Sequence, residues 1–193
     1  MAAALLIAAP AAPVSAHHLR ATPDGSVQGL RIPGLTHGQM VVIAAHRLEI
    51  LKLADEQTPT DPTLRRLQGY VALQYFACLW GLVPGGIEDE SSPFNECSHA
   101  YLAGTKALLM HLLTLPGERA PAVRALADRI EQDMQQNNAS LVLCRFSDEP
   151  FDSAEFIGPN WSEIPFHPVS LLSLASVALA AIGGVWLAVR FRS

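Results

Sequence analysis

The most constraining feature of this chain is the uncharged stretch from Val169 to Val189. At about 1.5 Å per helical residue it matches a hydrocarbon core of about 30 Å. Ser170, Ser173 and Ser176 interrupt the apolar run, and serine in lipid can bond back to its own helix backbone. Trp186 lies near the end, followed by Arg190 and Arg192. An interfacial aromatic with arginines just beyond it suits a span whose C-terminus is cytoplasmic. Pro165 and Pro168 end whatever precedes it. The expectation is one transmembrane helix over 169–189 and a basic cytoplasmic stub at 190–193.

The other end reads as a leader. Residues 1–16 carry no charge, and Val14-Ser15-Ala16 places small residues at −3 and −1 of a signal-peptidase site. The apolar run from Ala2 to Ala9 is too short to span a bilayer. The basic residues that usually open such a leader are missing from it. Export would leave the main domain outside the cytoplasm, in the periplasm if the source is bacterial.

Half of the 193 residues are apolar and 16% are charged, which excludes a disordered chain. Thirteen basic residues against 18 acidic ones give a net charge of −5 and argue against a nucleic-acid partner. With Arg190 and Arg192 on the far side, 11 basic residues face 18 acidic ones in the exported part. Anionic headgroups would repel that part rather than attract it.

Between the two ends the sequence is punctuated as helices. Thr36-His37-Gly38-Gln39 fits a capping box, with Leu35 and Met40 as its hydrophobic staple, and a first helix should run to about Gln57. Arg47 falls inside its apolar arc, where it must either reach the edge or pair with a carboxylate such as Glu96. Asp61-Pro62 starts a second helix. From Gly69 to Val83 the only strongly polar side chain is Gln74, so this helix is expected to be central and buried all round. Ser92-Pro93 starts a third, to about Leu115, and a fourth runs from about Pro121 to Asn137 with Asn137-Asn138 at its end. Ser140 to Phe146 reads equally as a short strand or a helical return. Residues 147–168, with four prolines and Trp161, suggest a tether or binding loop. The fold class is all-α: an extended segment at 17–35, a bundle of about four helices at 36–146, a Pro-rich juxtamembrane stalk at 147–168, then the span.

The three cysteines are Cys78, Cys97 and Cys144. In an oxidising compartment two should pair. Cys78 and Cys97 come level in an antiparallel hairpin of the second and third helices; Cys97–Cys144 is the rival. No Cys-x-x-Cys is present, so thioredoxin-like chemistry and c-type haem attachment have no support.

For metals, cleavage after Ala16 would expose His17 as the new N-terminus, followed by His18. A terminal amine, its own imidazole and a second histidine make a nitrogen-rich copper site. This resembles the N-terminal histidine of histidine-brace copper proteins, a resemblance covering those two residues alone, since those proteins are largely β-sandwiches. On the third helix Cys97 and His99 point about 160° apart, so one ion cannot use both. His99, near Lys106 and Met110, reads as a surface residue, and His111 as a hydrogen-bonded structural one. Haem held by Met110-His111 would need another helix to supply a ligand, such as His46. Glu88-Asp89-Glu90 lacks EF-hand spacing and reads as a solvated loop.

No catalytic residue emerges: the chain has no Gly-x-Ser-x-Gly, no His-Glu-x-x-His and no phosphate-binding glycine loop. No cofactor is called for. The favoured reading is a membrane-anchored, exported interaction or accessory protein, touching the bilayer through 169–189 and another protein through its domain. A copper or haem binder and an enzyme with a scattered site are the alternatives.

Overall fold

The computed structural model describes residues 28–80, 83 and 86–191. The leader at 1–16 and the His17/His18 pair lie outside the described residues. A two-residue strand β1 (Arg31–Ile32) precedes α1 (His37–Asp55), α2 (Pro62–Ala77), α3 (Asn95–Leu112) and α4 (Ala120–Gln136). A 3₁₀ turn (Ala139–Leu141) leads into β2 (Phe151–Asp152), a second 3₁₀ turn (Ile164–Phe166) and the long α5 (Pro168–Arg190).

The helices begin where local chemistry directs. Thr36 Oγ1 accepts from the amide of Gln39 at 3.2 Å, and Gln39 Oε1 accepts in return from the Thr36 amide at 3.4 Å. Leu35 and Met40 are both fully buried beside this box. Asp61 accepts from the amide of Leu64 at 2.7 Å, with proline at the first position of α2. Asn138, just past α4, is left-handed with φ of 49°, the conformation that a helix-ending asparagine tolerates.

The central helix is α3 rather than α2. Asn95, Cys97, His99 and Tyr101 to Thr105 are all buried, which puts neighbours on every side of it. Its Gly104 lets α2 approach, for a Cβ there would lie 2.8 Å from the Tyr70 ring. The expectation of a wholly buried α2 is corrected: it buries one face through Leu64, Leu67, Tyr70, Val71 and Gln74, while Phe76 is 72% exposed. An apolar sequence permits burial on every side, but α2 has neighbours on one side only. Arg47 pairs with no carboxylate among the described residues; its guanidinium donates to the Ala44 carbonyl at 2.7 Å and lies 5.5 Å over the Trp80 ring.

Residues 147–168 follow the domain surface instead of extending from it. Arg31 pairs with Asp152 and Ile32 with Phe151 in an antiparallel ladder. The fully buried Gln74 accepts from the Ile157 amide at 3.2 Å and donates to the Ile157 carbonyl at 3.3 Å. The amide of Asn160 donates to the Pro93 carbonyl at 2.9 Å, and Ile164 is buried against Cys78, Phe94 and Cys97. Widely spaced apolar side chains (Phe151, Ile157, Ile164) dock this segment despite its prolines.

Cys78 and Cys97 form a disulfide with their Cα atoms 5.5 Å apart, tying the end of α2 to the start of α3. The rival pairing through Cys144 is not made, because Cys144 is free. Helix α5 is long and apolar enough to cross a membrane, and no residue of its most apolar stretch is buried. Within it the hydroxyls of Ser173 and Ser176 donate to the Val169 and Leu172 carbonyls, each at 2.8 Å. A C78A/C97A variant is expected to lose about 3 kcal/mol of stability, the loop-closure entropy of a bridge this long, read as a lower urea midpoint against wild type under non-reducing conditions.

Candidate metal centre

Three side chains from distant parts of the chain meet at the N-terminal end of α1: His37, His99 and Cys144, with one donor atom of each within 4.8 Å of the others. The capping geometry that starts α1 also brings them together. Thr36 Oγ1, while capping α1, donates to the Ala139 carbonyl at 2.7 Å. The Gly38 amide donates to the Val142 carbonyl at 3.1 Å. These contacts hold the 139–144 return against the first turn of α1, where a Cβ on Gly38 would lie 2.4 Å from the Ala139 carbonyl oxygen.

Ser147 then fixes the loop. Its hydroxyl oxygen accepts from the Cys144 amide at 2.8 Å and the His37 amide at 3.2 Å, while its proton points to Cys144 Sγ at 3.7 Å. The Asp148 amide donates to the Leu35 carbonyl at 2.9 Å and closes the turn. From α3, His99 presents Nε2 to Cys144 Sγ at 3.1 Å. Asn95, one turn earlier and fully buried, places Oδ1 3.9 Å from the same sulfur.

Both imidazoles are inside the protein: His99 has no exposed surface and His37 is 7% exposed. Cys144 is half-buried, which leaves the thiol as the open side of the cluster. Nδ1 of each ring is buried without a hydrogen-bond partner among the described residues. Such an atom costs about 1–3 kcal/mol when left unsatisfied. The rings face each other with centroids 6.1 Å apart, and Phe146 covers His99 at 6.3 Å. Burial, then the neighbouring His37, pushes the His99 pKa down to about 4, so its imidazole is neutral at physiological pH.

Two imidazoles and a thiol are a donor set for borderline or soft d-block ions. Metal–nitrogen bonds of about 2.0 Å and a metal–sulfur bond of about 2.3 Å need donors roughly 3.3–3.7 Å apart. The cluster falls within small side-chain adjustments of that spacing. His99 and Cys144 stand slightly closer, as hydrogen-bonded partners whose shared proton a metal would replace.

The other histidines on the helices and the acidic loop take no part in this cluster, and His99 departs from its expected place. The sequence points to the surface for His99; it is buried, because the 139–149 return covers the face of α3 opposite Cys97. His46 Nε2 is bonded to Asp133 Oδ2 at 2.6 Å, and His111 Nε2 to Asp61 Oδ2 at 2.9 Å. Each therefore belongs to its own carboxylate. Asp89, in the acidic loop, accepts from Ser91 Oγ at 2.6 Å and from His167 Nε2 at 2.9 Å, and these contacts hold its carboxyl below the usual range. The signal that could have found the centre was the leftover cysteine: once Cys78 and Cys97 pair, a free thiol remains to be partnered.

No family model matches the chain, and neither a curated protein nor a solved structure matches it.

Two outcomes check this geometry. Gly38→Ala should destabilise the protein by about 1–3 kcal/mol, as overpacking against fixed backbone does, and hydrogen exchange should rise in 139–147. The neutral His99 also makes stability pH-dependent. Between an unfolded value of about 6.5 and a folded value of about 4, the unfolded chain binds more protons. Stability from this group is therefore complete above the upper limit and is lost as pH falls through the window. Urea midpoints at pH 7 and 4.5 should fall further for wild type than for His99→Gln.

Proposed function

We propose that this protein binds one thiophilic transition-metal ion between His37, His99 and Cys144, in a domain that α5 anchors on the outer face of a membrane. The supporting observation is the meeting of two buried imidazoles and a free thiol, with one donor atom of each within 4.8 Å of the others. Copper(I) and zinc(II) both suit the donors. Charge balance favours copper(I), since a monovalent ion with one thiolate is neutral, whereas a divalent one leaves a net charge in a desolvated site.

A cysteine nucleophile is the competing use of the same residues. It needs its histidine able to take a proton, oriented by a third group on the far nitrogen. Here the far nitrogen of His99 has no partner among the described residues, and burial resists protonation of the ring. Support for the outward orientation comes from the Cys78–Cys97 bridge, which suits an oxidising compartment, and from Trp186 and Arg190 at the far end of α5.

The accessory-protein reading draws its support from a groove of about 540 Å³ between α3 and α4, lined by Ile43, Leu109, Met110 and Met134 with Lys106 at its edge. It is compatible with a metal centre on the same domain.

Competition with a chromophoric copper(I) chelator under reducing conditions tests the metal reading. Wild type should take up one equivalent. C144S and H99Q should each weaken binding by at least about 100-fold, beyond the 10–100-fold typical of outer-shell changes. A variant carrying both H17A and H18A should bind as wild type does. The reverse pattern would move the site to the N-terminal pair.

A further inference from the structure

Helix α5 is too short to cross a bilayer if the domain stands clear of the lipid. Its first two turns are held by the domain. His167, at the N-cap, bonds Asp89 Oδ2 at 2.9 Å through Nε2 and Ser170 Oγ at 2.7 Å through Nδ1. Ser170 is fully buried, and Leu174 packs against the cluster of Ile164, Phe94 and the disulfide. Beyond that point, residues 175–189 supply about 22 Å of helix against a hydrocarbon thickness of about 30 Å. The full stretch 169–189 supplies about 31 Å. Tilting the helix would lengthen the requirement rather than shorten it. The far end has its own marker, for the Arg190 guanidinium lies 5.1 Å over the Trp186 ring, an interfacial pairing. The missing length of about 8 Å therefore lies in the part of α5 that the domain holds along one face, where Ser170 is buried and Leu171 and Leu172 are exposed, and it is comparable to one interfacial layer of about 5–7 Å.

We propose that the base of the domain is seated in the headgroup layer and upper acyl region of the outer leaflet, with Trp161 and Phe166 as its lipid-facing anchors. Phe166 is 85% exposed two residues before α5 begins. Trp161 is 58% exposed and rests edge-on against Phe94 at 6.4 Å, in the same cluster that grips Leu174. Aromatic rings at this depth are favoured by their amphipathic shape. Glu163 is exposed beside them and Asp89 lies close to His167, so the contact is made by apolar burial and not by attraction to anionic lipid. The occupant of this surface is thus the bilayer itself. The inference rests on α5 spanning a membrane.

Depth-dependent fluorescence quenching tests it. The full chain is reconstituted in phosphatidylcholine bilayers brominated at either shallow or deep acyl positions. W80F/W186F leaves Trp161 as the reporter, and W80F/W161F leaves Trp186. Trp161 should lose at least half its emission with shallow bromines and clearly less with deep ones. Quenching of Trp186 with no response from Trp161 would overturn the seating while leaving the span intact. No quenching of Trp186 in either lipid would remove the span on which it rests. Should W80F fail to fold, the difference between wild type and W161F alone reads the same quantity.

Discussion

Covering α3 from Cys97 to Thr105 is the constraint on which the other features depend. Cys97 and His99, two residues apart, face nearly opposite ways along it. Cys97 turns to the disulfide and the Ile164 cluster, and His99 turns to Cys144. Tyr101 packs on Trp80 with ring centroids 4.8 Å apart, and Gly104 admits Tyr70. A helix packed along a single face could support the bridge or the histidine centre, but not both at this spacing. The burial of large side chains such as Phe94, Leu102 and Leu108 at about 1.5–3 kcal/mol each outweighs the cost of the unpartnered ring nitrogens.

The chain after α4 builds both the candidate metal centre and the root of α5. It passes over the first turn of α1 to deliver Cys144, pairs β2 with β1, clamps Ile157 on Gln74 and enters α5 through Ile164 and His167. The candidate metal centre and the root of the anchor are thus built from one segment, packed on α3 and, at the centre, on α1 as well. A metal bound at His37, His99 and Cys144 would brace that segment against α1 and α3, because the three ligands lie on three separate stretches of chain. Binding to the folded state alone stabilises it by mass action.

The same packing links the candidate metal centre and the start of α5 in space. Asn95 lies against the Cys144 sulfur in the first turn of α3, immediately after Phe94, on which Trp161 rests. The candidate centre and the Trp161 surface are therefore served by adjacent residues of one helix start.

What the sequence by itself determined is what short-range physics controls. Thr36 and Gln39 close a capping box because their atoms are three residues apart, Asp61-Pro62 starts α2 for the same reason, and Asn138 ends α4 because asparagine tolerates the left-handed turn. The disulfide was legible from helix lengths in a hairpin, and α5 from length and hydropathy alone. The tertiary structure decided the exposure of α2, the burial of His99, the docking of 147–168 and the meeting of His99 with Cys144. A helical wheel gives the angle between two residues, about 160° for Cys97 and His99, but not how many neighbours surround the helix. That number depends on where a return loop settles some 45 residues later, and no local preference carries that information.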